Sequence, residues 1–249
     1  MIGNKIISLA ETASTNKYAT ELIKNNTAIE DGTIVLTHHQ TAGRGTGDNH
    51  WESEKGKNLT LSIISFPTFL PIEKQFMMNK VVSLAVFDMV CILTKGKETE
   101  KIKWPNDIYA GNKKIAGILI ENAIMGENFQ YFISGIGINI NQEYFISNAP
   151  NPVSLKNITG EDHDLKECLS ILCSCFENRY KELINSENKQ LDDDYYTSLY
   201  RLNENASFIY NEQAIQARIT GITAQGKLLL ETNKRKVLEC GFKEVEFVV

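Results

Sequence analysis

The sequence has little that would direct it out of the cytoplasm or into a membrane. Residues 1–20 do not combine a basic segment with a following apolar run, so they lack the pattern of a signal peptide. The longest apolar stretch, Val81 to Leu93, is shorter than a bilayer span and contains Asp88. The five cysteines have no paired CxxC spacing, and their odd number favours free thiols in a reducing compartment. We therefore expect a cytoplasmic protein with no membrane partner.

An excess of positive charge and a metal motif are missing as well. The 26 Lys and Arg residues are outnumbered by 31 Asp and Glu, and the net charge of −5 argues against a general attraction to nucleic acid. The four histidines show no HExxH or other ligand pairing, so we expect no zinc site and assign no metal ligand. We interpret Asp192–Asp194 as the acidic first turn of a helix, where carboxylates offset the helix dipole.

What is present predicts an α+β fold of two domains. Residues 1–203 mix strand-like runs with helical patterns and predict a mixed sheet with helices, whereas residues 204–249 predict a small SH3-like β-barrel. The predicted helices are 14–24, 72–93, 164–184 and 191–201. The predicted strands are 5–9, 33–39, 58–66, 102–104, 108–109, 115–120 and 129–133, followed by 206–210, 214–222, 227–231, 235–239 and 244–248.

Three stretches carry residues suited to chemistry. In residues 101–121, KIKWPNDIYAGNKKIAGILIE, adjacent strand residues point to opposite faces, so only one of Lys113 and Lys114 can face a site. Residues 41–57 are polar, glycine-rich and aperiodic, and loops of this length are usually functional or disordered. The strand at 129–133 is expected to enter a turn at Gly135–Asn139, which lacks the third glycine and the helix of a dinucleotide fingerprint.

These stretches resemble the motifs of one enzyme family. KWPND followed by KKIAGILIE resembles the central motif of the biotin protein ligases, which attach biotin to a carboxylase carrier domain. QTAGRG at 40–45 is similar to their glycine-rich biotin loop, and GIGIN at 135–139 to their GxGIN segment. With Ser14–Asn16 the similarity spans nearly the whole chain. It is closest to the short form that lacks an N-terminal helix-turn-helix domain, so we expect no DNA binding.

The resemblance implies a two-step reaction and its partners. An ATP-dependent ligase of this family activates biotin as biotinyl-5'-AMP and then transfers it to a specific lysine of a biotin carboxyl carrier domain. Biotin and ATP are the implied small molecules, and Mg²⁺ is the implied cofactor. Residues 1–203 would form the biotin- and ATP-binding catalytic domain, and the protein would be a monomer or a homodimer.

The resemblance also implies roles for individual residues. Lys114 would meet the biotin carboxylate or its adenylate, Arg44 would line the biotin pocket, and Lys103 would approach the phosphates. Asp107 would orient the acceptor amine or the ribose. The implied biotin-binding residues are Ser14, Thr15, Asn16, Gln40, Gly43, Arg44, Gly45, Trp51, Lys114, Gly117 and Gly135. The implied ATP-binding residues are Arg44, Thr46, Asn49, Trp51, Lys103, Asn106, Ile138 and Asn139.

The sequence differs from the family pattern at one loop, and two alternative functions are considered. The family's glycine loop commonly reads GRGRxGR, but Thr46 and Asn49 occupy its second and third basic positions here. A lipoate or octanoate ligase or transferase would have a related core fold, although QTAGRG differs from the glycine-rich signature of those enzymes. A non-catalytic binder of biotin or nucleotide, in which the lysines only hold the ligand, is the other alternative.

Overall fold

Two β-sheets organise the chain in a computed structural model that describes residues 1–25, 28–47, 49–146 and 151–248. The larger sheet has the strand order β1-β2-β3-β7-β6-β5-β4, with β1 and β2 parallel and the other neighbours antiparallel. Its strands are β1 (Ile6–Leu9), β2 (Thr33–Thr37), β3 (Leu59–Ser65), β4 (Glu100–Lys103), β5 (Asp107–Ala110), β6 (Lys113–Met125) and β7 (Asn128–Ile138). The helices are α1 (Thr15–Asn25), α2 (Phe76–Thr94), α3 (Leu155–Thr159), α4 (Leu165–Ile184) and α5 (Asn188–Thr197).

Helices cover both faces of the large sheet. Helix α1 packs a small cluster around Ala19 and Ile64 on one face, and α2 and α4 bury the main core on the other. Every residue of β3 is buried: Leu59, Leu61 and Ile63 face the main core, whereas Thr60 and Ser62 alternate with them on the α1 face. The α1 face is covered only in part, and this leaves room for a cavity beside the helix.

Helix α2 is the central element of the main core. Together with the 3₁₀ turn before it, Ile72–Thr94 is long and apolar enough to cross a membrane by length and composition, and it is the one such segment within the described ranges. It is longer than Val81 to Leu93, the apolar stretch identified in the sequence analysis. Most of it is buried against the sheet, α4 and α5, so packing inside the fold accounts for its composition.

The interpretation of Asp192–Asp194 as a first helical turn is wrong. Helix α5 begins at Asn188, so the three aspartates lie beyond that turn and are held by cations instead of the helix dipole. Their partners are Lys80, Lys189 and Arg179, respectively, each with an N–O distance of 2.5 Å. Two tertiary ion pairs, with Lys80 and Arg179, and one pair within α5, with Lys189, therefore explain this acidic run.

The C-terminal residues form a second, five-stranded antiparallel sheet. Its order is β11-β10-β9-β8-β12, so the predicted small β domain is confirmed. The strands are β8 (Asn205–Tyr210), β9 (Gln213–Ile222), β10 (Leu228–Thr232), β11 (Val237–Cys240) and β12 (Val245–Phe247). The ladder is open between β11 and β12 in the residues described, so closure into a barrel remains a prediction. The boundary at 203/204 is also a prediction, and Val249 lies outside the described residues.

Polar contacts join the C-terminal sheet to the turn after β4 and to α5. The Trp104 indole Nε1 donates to the Gly226 carbonyl at 2.9 Å, and the Tyr196 hydroxyl donates to the Ile222 carbonyl at 2.7 Å. Gly226 has φ of +89°, and a Cβ there would overlap the Phe76 ring. The turn between β9 and β10 therefore depends on a glycine for both its conformation and its fit against α2.

We expect Gly226→Ala to weaken the joint between the sheets. An alanine at positive φ costs roughly 1–2 kcal/mol, and overlap with Phe76 adds about 1–3 kcal/mol. Gly126→Ala is the matched control, because Gly126 has φ of +63° but open space around its missing Cβ. Chemical denaturation should give a larger loss of unfolding free energy for Gly226→Ala. Equal losses for the two variants would show that Phe76 does not restrict the turn.

Candidate active site

A cleft opens on the α1 face of the large sheet, between its central strands and the loop that connects β2 to β3. It encloses about 500 Å³, counting the part open to solvent. Twelve of the residues that line the cleft were expected in the site from the sequence: Ser14, Thr15, Asn16, Gln40, Arg44, Gly45, Thr46, Trp51, Asp107, Lys114, Gly117 and Gly135. Six other lining residues were not expected, because most of them are apolar strand residues without a side chain that suggests binding: Thr60, Leu61, Ile118, Leu119, Ile136 and Gly137.

The floor of the cleft consists of glycines within strands. The predicted turn at Gly135–Asn139 is wrong, because β7 continues through Ile138 and pairs with both β3 and β6. A Cβ at Gly137 would overlap the Trp51 indole, and one at Gly135 would overlap the Asn16 amide. At Gly117 a Cβ would lie 3.0 Å from the Trp51 ring. The glycines thus admit side chains from the loop and from α1 onto the face of the sheet.

A hydrogen-bond network fixes the polar wall of the cleft. The Gln40 Oε1 accepts from the Thr15 backbone N–H at 2.9 Å, and Ser62 Oγ lies 2.8 Å from Thr15 Oγ1 and 2.6 Å from Asn16 Oδ1. The Ser62 hydroxyl can donate to only one of these oxygens at a time. The backbone N–H of Lys17 lies 3.5 Å from Ser14 Oγ, which is consistent with the predicted start of α1. The side chains of the wall therefore hold one another in place.

Lys114 is the lysine of the pair that enters the cleft. Its Nζ lies 2.7 Å from Asp107 Oδ1, and each side chain is 23% exposed. The same ammonium lies 5.6 Å from the centroid of the Trp51 ring, within the range of a cation–π interaction. Lys113 is exposed, as expected from the alternation of side chains along a strand. A partly desolvated cation therefore stands between a carboxylate and an aromatic ring.

Glu121 is a residue that the sequence analysis missed. Its Oε1 lies 3.6 Å from Arg44 Nη1, and its Oε2 accepts from Asn16 Nδ2 at 2.8 Å. From its place within β6 it links the loop to α1. The available signal was its position at the end of KKIAGILIE, one residue after the apolar run.

Trp51 forms the wall opposite the glycines. Its backbone N–H donates to the Gly43 carbonyl at 3.0 Å, and Gly43 itself does not line the cleft. A Cβ at Gly43 would overlap the Trp51 carbonyl oxygen, so the glycine sets the course of the loop. The Trp51 Nε1 is buried and has no hydrogen-bond partner within the described ranges. An unpaired buried donor at a cleft is suited to a ligand acceptor.

Lys103 is not brought to the cleft. Its Nζ donates to the Tyr109 hydroxyl at 3.2 Å and lies 5.1 Å from the Phe247 ring centroid, under the edge of the C-terminal sheet. Burial lowers the pKa of Lys103, and Lys114 and Arg201 add to this while Asp107 opposes it. Lys103 therefore does not line the main cleft, and its approach to the phosphates stays a prediction.

Four further expected ATP contacts lie outside the main cleft. Ile138 is fully buried in the core on the opposite face, because adjacent residues of a strand face opposite sides of the sheet and Gly137 faces the cleft. Asn139 is also buried and donates to the Val153 carbonyl at 3.0 Å, while Asn49 is exposed on the loop. Asn106 donates to Thr46 Oγ1 at 3.3 Å and lines a neighbouring cleft. These residues lie within or beside the matched motifs, but their side chains do not point into the main cleft.

The described part of the chain contains no group of three or more His, Cys, Asp or Glu side chains that could hold a metal ion. Asp107 is the carboxylate that lines the main cleft, and it is paired with Lys114. The site therefore offers cations and neutral hydrogen-bonding groups to a ligand, which suits an anionic small molecule.

Residues 9–139, more than half of the chain, match the family model described as the biotin/lipoate A/B protein ligase family. The chain belongs to this family. The bifunctional ligase/repressor BirA of Bacillus subtilis is 32% identical over 250 residues, which cover 94% of this chain and 71% of that protein. The biotin--[acetyl-CoA-carboxylase] ligase of Mycobacterium tuberculosis is 28% identical over 232 residues, covering 92% of this chain and 84% of that protein.

A solved structure has the same fold as this family member. A biotin protein ligase from Aquifex aeolicus in complex with biotin and ATP superimposes with a TM-score of 0.81 at 26% identity, covering 98% of this chain and 100% of that chain. The predicted family and fold class are confirmed. The roles of the individual site residues remain predictions.

We expect Gly137→Ala to displace Trp51 while the sheet stays folded. The new Cβ would overlap the indole, but the backbone of Gly137 is not in the left-handed region. Two-dimensional NMR should show a shifted indole N–H peak for Trp51 and an unchanged one for Trp104. Ser134→Ala is the control, because Ser134 lies on the opposite face of the same strand. An unmoved Trp51 peak in Gly137→Ala would contradict this packing.

Proposed function

We propose that this family member is an ATP-dependent biotin protein ligase. In the first step a biotin carboxylate oxygen attacks the α-phosphorus of ATP, the bond to the β-phosphate breaks, and biotinyl-5'-AMP and pyrophosphate form. In the second step a carrier lysine amine attacks the acyl carbon and AMP leaves. The cleft supports this proposal, because Lys114, Trp51 and a preformed polar wall converge there in a chain related to biotin protein ligases.

The polar wall is proposed to bind the ureido end of biotin. A ureido group presents two N–H donors and one carbonyl acceptor, so it needs partners of both kinds. Ser14, Thr15, Asn16 and Gln40 supply hydroxyl and amide groups at the α1 end of the cleft. Because Gln40 and Thr15 already hold one another, the wall would bind biotin with little loss of side-chain freedom.

The cations are proposed to drive the first step. A carboxylate and a phosphate repel one another as they approach, so positive groups must stabilise the charge in the transition state. Lys114 is the candidate for contact with the biotin carboxylate and the adenylate, and Arg44 for the adjacent part of the pocket. Asp107 holds Lys114 at 2.7 Å, which supports a positioning role in addition to orienting the acceptor amine or the ribose.

Mg²⁺ is proposed to accompany the phosphates of ATP. Mg²⁺ commonly binds through substrate phosphates and few protein ligands, so the described residues fit it without an acidic cluster. It would neutralise phosphate charge. The protein would position the reacting carboxylate, and Lys103 would act on the phosphates only from a position that differs from the one observed.

No covalent enzyme intermediate is part of the proposal. All five cysteines are free, and burial raises the pKa of Cys168 and of Cys175 to about 11. Thiols with such pKa values carry little thiolate at neutral pH and are poor nucleophiles. We infer that biotinyl-5'-AMP stays noncovalently bound, and that proximity and charge stabilisation supply the rate.

The remaining partners are part of the same proposal. The acceptor would be a lysine of a biotin carboxyl carrier domain, and the protein would act in the cytoplasm as a monomer or homodimer. The net charge of −5 supports the absence of DNA among its partners.

One incubation tests the proposal against its two alternatives. The protein is mixed with ATP, Mg²⁺, a carrier domain and either labelled biotin or labelled lipoate, and the carrier is examined for covalent label. Biotin alone should be transferred. Transfer of lipoate in its place would favour a lipoate ligase, and binding of biotin without transfer would favour a non-catalytic binder.

Lys114→Ala should nearly abolish biotinyl-5'-AMP formation. Loss of a cation that stabilises developing charge in an enclosed site lowers turnover by about 10²–10³-fold. Lys113→Ala is the matched control, because this neighbouring lysine is exposed. Pyrophosphate release should fall in the first variant only. A parental rate in Lys114→Ala would remove this lysine from the chemistry.

Thr46→Arg should slow the escape of biotinyl-5'-AMP. Thr46 lines the cleft where the family commonly has arginine, and a well-formed charge-assisted contact would slow dissociation by roughly tenfold. Dissociation is timed by rapid dilution of preformed intermediate without a carrier. Asn49→Arg is the comparison, because Asn49 lies outside the cleft. A faster or unchanged rate in Thr46→Arg would mean that another group already supplies the charge.

A further inference from the structure

A second cleft lies between the glycine-rich loop and the C-terminal sheet. It encloses about 690 Å³, counting open space, and its walls include Thr46 and Asn106 on one side and Gly226, Gly241 and Phe242 on the other. Thr46 lines the main cleft as well, so the two clefts meet at the tip of the loop. A ligand that extends out of the main cleft past Thr46 would therefore meet the C-terminal sheet.

A lysine from the C-terminal sheet reaches this tip. Lys243 lies in the turn between β11 and β12, which Glu244 closes by accepting from the Gly241 backbone N–H at 2.6 Å. Lys243 has φ of +69°, an uncommon value for a lysine. A Cβ at Gly47 would lie 2.6 Å from Lys243 Cε and would overlap its Nζ. The ammonium therefore rests against the loop at a position that only glycine leaves open.

The charge of Lys243 is not neutralised within the described residues. Arg44 pairs with Glu121 and Lys114 with Asp107, whereas no described carboxylate lies within 4 Å of Lys243 Nζ. Lys227, which lines the second cleft, is 3.7 Å from Glu239. Lys243 is held at the tip of the loop by a turn in a strained conformation, and an ammonium that no described carboxylate neutralises there is suited to an anionic ligand.

We propose that Lys243 is a phosphate-binding residue, which binds the polyphosphate of a nucleotide where it leaves the main cleft beside Thr46 and Gly47. The identification of that nucleotide as ATP rests on the proposed function. The contact would hold the C-terminal sheet against the loop when nucleotide binds. The small domain then contributes a charge to the site in addition to covering it.

Binding measurements on the full chain test this proposal. Calorimetry is run with α,β-methylene-ATP, inorganic triphosphate and adenosine, each with and without saturating biotin. Lys243→Gln should bind the two phosphate ligands roughly five- to tenfold more weakly, and adenosine as the parent does. Lys243→Arg should restore phosphate binding because it keeps the charge. Lys234→Gln, an exposed turn lysine of the same sheet, should match the parent.

The outcomes separate this inference from the proposed function. Parental affinity for both phosphate ligands in Lys243→Gln, or a parent that binds no nucleotide, would overturn the inference. An equal loss for adenosine and triphosphate, with no rescue by arginine, would make Lys243 a structural contact and would overturn it too. Charge-dependent triphosphate binding in a parent that labels no carrier would support the inference while the proposed function fails. Thermal midpoints of all variants show whether each is folded.

Discussion

Glycines on the two central strands β6 and β7 leave space on the face of the sheet, and this space decides where the other groups of the site can lie. Glycine weakens a strand, because it loses more conformational freedom and packs nothing. Here Gly117, Gly135 and Gly137 occupy strands whose ladders are complete on both sides, and Trp51 and Asn16 fill the volume that Cβ atoms would take. The sheet, the loop and α1 therefore pack as one unit, and the cleft is what remains between them.

The same packing explains why the site is built from ion pairs. A lone ammonium as buried as that of Lys114 would be unfavourable, and Asp107 offsets the loss of water around it. The Arg44 side chain, which is 55% exposed, keeps more of its water and pairs with Glu121 at 3.6 Å. Each pair is neutral as a whole, so the pairs position charge without supplying an excess. A ligand with several negative charges needs further positive charge, and a cation on the solvent side of the loop would supply it at a small cost in desolvation.

The sequence predicted the helices and strands better than it predicted the directions of individual side chains. The periodicity of apolar residues located the strands and every helix except the short α3, and the motifs located twelve residues of the cleft. It failed where tertiary contacts decide the outcome. Glu121 meets Asn16 across 105 positions of the chain, and no local pattern encodes such a pair. Lys103 and Ile138 lie within the matched motifs, but their side chains pack elsewhere because strand alternation and the neighbouring sheet set their direction.

The KWPND motif also has a structural role, which its resemblance to a catalytic motif does not suggest. Trp104 donates to Gly226 of the C-terminal sheet, the Pro105 carbonyl accepts from Tyr195 of α5 at 3.1 Å, and Asn106 donates to Thr46 of the loop. Three consecutive residues thus join the second sheet, a helix and the loop. A shift of the C-terminal sheet would be transmitted through this short segment to the loop that carries Arg44 and Trp51. The small domain is therefore coupled mechanically to the cleft.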